Sequence, residues 1–328
     1  METLLLSIKD VEEALAMEEV IHAVEEGYIA YHEGKVQQPE IVSIEMPQNN
    51  GETDIKSCYN QLNERISVKI ASGFYDNGKK NDLPTMIGTI LLFDGKSGAP
   101  LCVMDGSLIT GIRTGAAGAI SSKLLARKNS KTVAVFGTGG QARMQIYGLC
   151  QVMDIEEVRV YGEHRNGLLK YKEDVEANTK VNVILCETPE MAMQDADIAI
   201  STTPSKKYFI ERSWVRPGLH IVAVGADMAG KNEWDPKIFQ GSKIVNDSIA
   251  QCVSRGETRN AIVAGVIREN DIYAEIGELL AGEKPLRVSE DEITIFDTTG
   301  MGIQDNVTAM IVYEAAKKRG LGSYFEFI

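Results

Sequence analysis

Long hydrophobic runs and paired cysteines are both missing from this 328-residue chain. No stretch reaches the roughly 18 consecutive apolar residues that a membrane-spanning helix needs, and the first residues carry neither the basic start nor the long apolar core of a secretory signal. The five cysteines are odd in number and form no C-x-x-C pair, a pattern typical of a reducing compartment and not of a zinc site. We therefore expect a cytoplasmic protein with no membrane partner.

Basic charge and histidine are also scarce. The 34 lysines and arginines face 47 acidic residues, which gives a net charge of −13 and argues against a nucleic-acid partner. The histidines show no H-E-x-x-H or similar spacing, so neither a metal nor a histidine base is indicated. They are His22, His32, His164 and His220. A content of 44% hydrophobic and 25% charged residues is that of a globular enzyme-sized chain.

The first third of the chain predicts a small α+β domain. We expect a strand at 4–8 and one or two helices over 11–31. An antiparallel sheet is expected over 38–104, with helices only on its N-terminal side and with strand-like runs such as 41–46, 66–70, 86–93 and 100–104. Asn77-Gly78 and Asp94-Gly95 predict turns, the second of them inside a hairpin. A helix rich in glycine and alanine is predicted over 107–126.

From Lys131 onward the pattern alternates between strands and helices. Strands are predicted near 132–136, 157–161, 181–186, 197–201, 219–224 and 243–246. Six strands with intervening helices predict an α/β fold with a doubly wound Rossmann-type parallel sheet. A helix near 276–281, a strand at 293–296 and a last helix over 304–319 follow, the last ending at Gly320.

A glycine turn follows the first of these strands, with the sequence Gly137-Thr138-Gly139-Gly140-Gln141-Ala142. It fits the dinucleotide pattern G-x-G-x-x-G/A, which is weak by itself because the chain holds 30 glycines. Its position between an apolar strand and a helix predicts that it binds a pyrophosphate at the helix N-terminus. A plain strand-to-helix turn is the alternative.

Two charged residues after the second strand bear on the choice of nucleotide. Glu163 lies 26 residues beyond Gly137, about where an acid that binds the ribose belongs, and it favours NAD. Arg165 argues for NADP, because it could pair with a 2′-phosphate. Both could also be ordinary surface charges.

Several separated segments together resemble the ornithine cyclodeaminase/μ-crystallin family, which includes archaeal-type alanine dehydrogenases and imino-acid reductases. The segments are Val68-Lys69, Asp82-Leu-Pro-Thr85, Ile112-Arg113-Thr114-Gly-Ala-Ala117, the glycine turn, Val224-Gly-Ala-Asp227-Met-Ala-Gly-Lys231, Ile276-Gly-Glu-Leu-Leu-Ala-Gly282 and Phe296-Asp-Thr-Thr-Gly300. The resemblance implies a smaller substrate-binding and dimerisation domain from 1–113 with 303–328. It also implies an NAD(P)-binding domain over 114–302 and a homodimer.

The resemblance further implies that Arg113 holds a substrate carboxylate and that Lys69 assists proton transfer. Apolar neighbours of Lys69 predict a lowered pKa, although an edge-strand lysine is the alternative. Arg113 could instead form a surface ion pair. Asp227 follows a parallel strand, where we assign it the acid/base role toward the amine or a water, with a helix N-cap as the alternative.

Residues that would contact the nucleotide complete the predicted site. Thr202 and Thr203 end one strand and would line the nicotinamide side, while the resemblance adds Thr114 and Val224. Asp297 is predicted to be structural.

One departure from the family concerns the substrate. Many members carry a carboxylate-binding arginine just after the proline that is Pro39 here, and this chain has none. Two alternatives follow: Arg65 takes the place of that arginine, or Glu40 faces the amine of a diamino acid. The sequence predicts NAD(P)-dependent oxidation of a small L-amino acid or reduction of an imino acid. Ornithine cyclodeamination and a non-catalytic binder of the μ-crystallin kind are the alternatives.

Overall fold

The computed structural model describes residues 2–326, which form two compact units. The first unit comprises the described parts of Met1–Arg113 and Met301–Ile328, and the second is Thr114–Gly300. Their architecture is α/β, with a mixed sheet in the first unit and a Rossmann-type parallel sheet in the second.

The elements are numbered in chain order. The chain begins with β1 (Glu2–Leu6), α1 (Ile8–Ala14), α2 (Met17–His32), β2 (Val36–Gln37), β3 (Val42–Met46), β4 (Gly51–Asn60), β5 (Arg65–Phe74), α3 (Asn77–Lys80), β6 (Met86–Asp94), β7 (Pro100–Asp105) and α4 (Ser107–Leu125). It continues with β8 (Thr132–Phe136), α5 (Gly140–Val152), β9 (Glu157–Tyr161), α6 (Arg165–Asn178), β10 (Asn182–Leu185), α7 (Pro189–Met193), β11 (Ile198–Ser201), β12 (His220–Ala223) and β13 (Lys243–Asn246). The remaining elements are α8 (Ile249–Arg255), α9 (Glu257–Val263), β14 (Ala274–Glu275), α10 (Ile276–Leu280), β15 (Thr294–Asp297), α11 (Gly302–Arg319) and β16 (Ser323–Glu326).

The sheet of the first unit has the strand order β16-β1-β7-β6-β5-β4-β2, with β3 also paired to β4. Strands β4 to β7 are antiparallel as predicted, but β1 runs parallel to β7. Helix α11 contacts β4, β5 and β6, so the prediction of helices only on the N-terminal side was wrong. The C-terminal helix returns to cover the sheet.

Three local predictions in this unit needed correction. The first strand ends at Leu6, and Ile8 already belongs to a helix, because Ser7 forms a capping box with Asp10. Asn77-Gly78 is the start of the short helix α3, where Lys80 N donates to Asp76 O at 3.0 Å. Strand β4 was missed because its sequence mixes Glu, Asp and Lys with apolar residues.

The two faces of this sheet differ. One face is buried and includes Cys58, Lys69, Ile90 and Met104. The other face carries side chains from the alternate strand positions, several of them apolar and exposed. These are Val42, Ile44, Ile70 and Ile87.

The second unit contains an eight-stranded sheet with the order β10-β9-β8-β11-β12-β15-β13-β14, and its described pairings are parallel. Each of the six predicted strands is present within about two residues. The order reverses direction between β8 and β11, which is the topological switch point where such sheets bind ligands. The glycine turn follows β8 and therefore lies at this point.

None of the helices within residues 2–326 combines the length and the apolarity needed to cross a bilayer.

Candidate active site

Lys69 and Asp305 form a buried ion pair in the first unit. Lys69 lies in the middle of β5, between β4 and β6, and its side chain is 1% exposed. Its Nζ lies 2.8 Å from Oδ1 and 2.7 Å from Oδ2 of Asp305, which projects from the first turn of α11. The alternative of an edge-strand lysine is thereby excluded.

Arg113 shares the same carboxylate. Its Nε donates to Asp305 Oδ1 at 3.0 Å, and its Nη1 lies 3.4 Å from Gln304 Oε1. The side chain is 4% exposed, so this is no surface ion pair. Gln304 also donates to the carbonyl of Arg113 and accepts from Met301 N at 2.6 Å, which ties helix α4 to the start of α11.

The start of α11 lies very close to strand β4. A Cβ added to Gly302 would lie 2.9 Å from the carbonyl oxygen of Ser57. Ile303 N, in the same turn, donates to Gln38 Oε1 at 3.1 Å. The lack of a side chain at position 302 therefore lets the helix hold Asp305 against the sheet.

Positive charge exceeds negative charge in this cluster. Lys56 is directly opposite Lys69 in register and is 8% exposed, so two lysines and Arg113 surround Asp305. Burial and then the charge of Arg113 lower the pKa of Lys69 to about 7, although Asp305 acts in the other direction. Burial alone would raise the pKa of Asp305, but Lys69 and Arg113 outweigh it and the pKa lies below its ordinary value.

In the second unit the glycine turn has the conformation that a pyrophosphate needs. Gly137 has a φ of 106°, and its N–H donates to Tyr161 O at 2.9 Å. A Cβ at Gly139 or Gly140 would meet no atom within 4 Å, so open space faces the N-terminus of the 13-residue helix α5. Gly139 is the N-cap of that helix, and no side chain of the described residues bonds there as a cap. These groups fit a dinucleotide.

We predict that alanine at Gly137 destabilises the protein, whereas alanine at Gly139 does not. Gly137→Ala would force a positive φ and place Cβ 2.7 Å from Thr202 Oγ1, so we expect a loss of about 1–3 kcal/mol in unfolding free energy and weaker NADH binding. Gly139→Ala should leave thermal stability unchanged but still weaken NADH binding, because its Cβ would fill space meant for the pyrophosphate. Thermal melts and NADH fluorescence titrations check both, and unchanged affinity in Gly139→Ala would contradict the assignment.

Two residues that form hydrogen bonds with the predicted nucleotide residues were missed in the sequence analysis. Arg143 donates to the carbonyls of Thr138 at 2.6 Å and Gly139 at 3.0 Å, and its Nε pairs with Asp174 at 2.8 Å. Glu233 accepts from Thr203 N at 2.6 Å. Arginine in the first turn of a helix was the one signal available for Arg143, whereas Glu233 belongs to no recognisable motif.

The other predicted nucleotide residues lie as follows. Thr202 Oγ1 donates to Phe136 O at 3.1 Å, and Thr202 and Thr203 follow β11 directly. Val224 follows β12 and is 9% exposed, and Thr114 is buried with its carbonyl accepting from Gln145 at 2.8 Å. Gln141 and Ala142 lie in the first turn of α5, with Ala142 fully buried. Glu163 is exposed between β9 and α6, and Arg165 is exposed as the first residue of α6.

Comparison with known proteins identifies the family of this chain. A model of the ornithine cyclodeaminase/mu-crystallin family matches residues 1–320. The chain belongs to that family.

Relatives within the family are similar over the whole chain. An alanine dehydrogenase of Archaeoglobus fulgidus is 39% identical over 100% of this chain and 99% of its own length. The structure of an archaeal alanine dehydrogenase dimer with bound NAD has a TM-score of 0.94 at 38% identity, covering 100% of both chains. Thermococcus litoralis Δ1-pyrroline-2-carboxylate reductase, solved with NADH and L-proline, has a TM-score of 0.95 at 35% identity, covering 98% of this chain and 99% of that one.

The structure also shows where the other residues discussed in the sequence analysis lie. Asp227 lies beyond β12, its carboxylate is 47% exposed and pairs with Lys231 at 2.7 Å, and no helix begins there for it to cap. Arg65 pairs with Asp94 at 3.0 Å, while Glu40 is exposed. Asp297 is 1% exposed and accepts from Thr258 N at 2.8 Å. Within residues 2–326 no group of three His, Cys, Asp or Glu side chains is arranged to hold a metal.

Proposed function

We propose that this protein is an NAD-dependent oxidoreductase that acts on the CH–NH2 group of a small L-amino acid or on the C=N group of an imino acid. The observation that carries the proposal is the buried cluster of Lys69, Arg113 and Asp305 in a chain that also has a dinucleotide turn. Relatives that are 39% and 35% identical are an alanine dehydrogenase and a pyrroline-carboxylate reductase. Their reactions share hydride transfer at the carbon that bears nitrogen.

The first unit would bind the substrate through its carboxylate. Burying three cationic side chains around one carboxylate is costly unless an anion completes the cluster. Arg113 would supply the carboxylate contact, and Lys69 would exchange a proton with the substrate near neutral pH, where its pKa lies. Both groups are already held in place by Asp305, so little reorganisation is needed.

The second unit would bind NAD at the glycine turn through the N-terminus of α5. NAD supplies the acceptor for the hydride. In the oxidative direction, amino acid, NAD⁺ and water give 2-keto acid, ammonium, NADH and a proton. We assign Asp227 to the proton transfers of the amine or water, because its partly exposed carboxylate follows a strand end. Glu163 favours NAD over NADP, and Arg165 keeps NADP as the alternative.

A substrate panel tests this function. Purified protein is mixed with L-amino acids and NAD⁺ or NADP⁺, or with 2-keto acids plus amines and cyclic imino acids with the reduced cofactors, and absorbance of the reduced nicotinamide is followed. We expect turnover with at least one amino or imino acid and a preference for NAD. No signal with any pair contradicts the proposal, and proline formation from ornithine without net NADH would identify a cyclodeaminase instead. A tight nucleotide complex without turnover would identify a binder.

We also propose that the protein is a homodimer, in which the exposed face of the first unit's sheet is covered by a second copy. Val42, Ile44, Ile70 and Ile87 are 56, 49, 37 and 40% exposed and lie on neighbouring strands. Exposed apolar surface of this kind marks an interface. The 38% identical archaeal alanine dehydrogenase was solved as a dimer, which supports a second copy as the occupant.

We predict that Ile70→Asp separates the proposed dimer. A buried aspartate without a partner would oppose association, so the mass measured by light scattering should fall from that of two chains to that of one. Leu286→Asp, at a residue of the second unit that is 38% exposed, is the matched control and should not change the mass. A wild-type mass of one chain, or an Ile70→Asp mass of two, would contradict the proposal.

We further propose that the protein is located in the cytoplasm, as the cysteine pattern predicts. Cell fractionation checks this location.

A further inference from the structure

Glu233 holds two loops of the second unit by hydrogen bonds. Its side chain is completely buried. Oε1 accepts from Thr203 N at 2.6 Å and Oε2 accepts from Gly225 N at 3.1 Å. These two N–H groups follow β11 and β12, neighbouring parallel strands whose ends lie at the same edge of the sheet. Without the carboxylate the Thr203 N–H would lose this acceptor, and the Gly225 N–H would keep only its bond to Ser201 O at 3.1 Å.

Close packing at Gly225 and Gly137 also restricts the position of these loops. A Cβ at Gly225 would lie 2.2 Å from Glu233 Oε2 and 2.4 Å from Thr203 O, so only glycine fits at this position. On the other side of the same loop, a Cβ at Gly137 would lie 2.7 Å from Thr202 Oγ1. A shift of the Thr202–Thr203 loop would therefore change the surroundings of the glycine turn.

The surroundings of Glu233 make its charge costly. Its own N–H donates to Glu257 Oε1 at 2.5 Å, and Glu257 is 1% exposed. Burial raises the pKa of Glu233 to about 7, against the lowering effect of the Thr203 N–H and the other donors. The next residue, Trp234, donates from Nε1 to Ser201 Oγ at 2.7 Å and anchors the segment to the end of β11.

We propose that Glu233 is a positioning residue for the nicotinamide nucleotide: it fixes the loops after β11 and β12 beside the glycine turn. The inference rests on the proposed NAD-dependent function. It assigns Glu233 no contact with substrate or with reacting atoms. Its effect reaches the nucleotide through Thr203 and Gly225, whose backbone it holds.

Glu233→Gln tests this role, because glutamine has the same size but only one acceptor oxygen. Its amide nitrogen would face one of the two N–H groups. We expect the Kd for NADH, measured by fluorescence titration, to rise about tenfold, the effect of losing one charge-assisted hydrogen bond. The KM for NADH should rise with it, while the KM for the amino or imino acid stays unchanged. Glu233→Asp keeps the charge on a shorter side chain and should weaken NADH binding less.

Asp197→Asn is the matched control. Asp197 also accepts from two backbone N–H groups, of Lys131 at 2.7 Å and Thr132 at 3.0 Å, and it pairs with Arg127 at 2.6 Å. It lies at the opposite, amino-terminal end of β8 and β11. We expect Asp197→Asn to lower the melting temperature without changing the Kd for NADH.

The outcomes separate this inference from the proposed function. Weaker NADH binding in Glu233→Gln but not in Asp197→Asn supports the role. Wild-type affinity in a folded Glu233→Gln overturns it, and so does equal weakening in both variants, since that would be a general effect of destabilisation. If Glu233→Gln does not fold, wild-type affinity in Glu233→Asp overturns the role. A wild-type protein that binds neither NADH nor NADPH overturns the proposed function itself, and the inference with it.

Discussion

Lys69→Ala is expected to lower kcat by about 10²–10⁴-fold, the usual contribution of a proton-transfer group, while the Kd for NADH stays unchanged. Lys69 lies in the first unit and pairs with Asp305 there, whereas the predicted nucleotide residues lie in the second unit. Loss of the ammonium leaves Asp305 bonded to Arg113 at 3.0 Å, so the carboxylate does not remain without a cation. Steady-state kinetics and NADH titration of the same preparation check both halves of the prediction.

The pH dependence of the wild type sharpens this prediction. Lys69 has a pKa of about 7, so it is mostly neutral above that pH and mostly charged below it. As a base in amino-acid oxidation it should make kcat/KM rise with pH to a plateau above about 7. Lys69→Arg remains charged throughout and should recover none of the activity.

The lowered pKa of Lys69 also affects stability. Between a pH of about 7, its pKa in the folded chain, and 10.5, its ordinary pKa, Lys69 binds more protons in the unfolded chain than in the folded one. The contribution of Lys69 to the free energy of unfolding therefore rises with pH in that window.

Lys243→Ala is the matched control for loss of a buried lysine. Lys243 is 7% exposed, pairs with Glu292 at 3.0 Å and lies over the ring of Tyr273. We expect this variant to be less stable but to retain turnover. A fall in kcat equal to that of Lys69→Ala would mean that destabilisation, not chemistry, explains both. Wild-type turnover in Lys69→Ala would remove Lys69 from the mechanism.

The second unit could be predicted closely because of how its strands are buried. Parallel strands covered on both faces read as continuous apolar runs, such as the stretch that became β8, and each of the six predicted strands was found. The prediction missed β14, because this strand has only two residues and therefore no apolar pattern of its own. Local sequence determines such a sheet almost completely.

The first unit was harder because its buried face carries polar side chains on β4 and β5. Lys56 and Lys69 face inward where an apolar residue is expected, so β4 did not look like a strand and Lys69 could be taken for an edge residue. The carboxylate that pairs with Lys69, that of Asp305, lies on another element far away in sequence. Local propensity cannot predict an inward-facing charge whose partner is so distant.

The pairing of Asp305 with Lys69 could not be predicted from the sequence, although the position of Asp305 on its helix gives one indication of it. It is 236 residues away from Lys69, and no short motif joins the two. Its position does carry one signal, because it lies at helical spacing from Ala309, Val312 and Ala316, which are all buried. An acid on the apolar stripe of a helix needs a buried cation. The resemblance had supplied Lys69 and Arg113 without the carboxylate that holds them.

Arg113→Lys is expected to raise the KM for the amino or imino acid by about 100-fold with a smaller effect on kcat. Arg113 already gives Nε to Asp305 at 3.0 Å and Nη1 to Gln304 at 3.4 Å, so the planar fork is fixed by protein bonds before substrate binds. Lysine would keep the charge but would lose the planar fork that bonds Asp305 through Nε while it offers other N–H groups to a substrate carboxylate. Loss of a charge-assisted, bidentate contact is worth about 1.5–3 kcal/mol, which corresponds to roughly 10- to 150-fold in affinity.

Arg65→Lys is the control, because Arg65 is the arginine that stands nearest in sequence to the missing family residue and is partly exposed beside Asp94. If Arg65 bound the substrate, its replacement would raise KM as Arg113→Lys does. The pairing with Asp94 at 3.0 Å leads us to expect no change. Kinetics with saturating NAD⁺ and varied amino acid distinguish the two cases. An unchanged KM in Arg113→Lys would show that the substrate carboxylate binds elsewhere, and a raised KM in Arg65→Lys would indicate where.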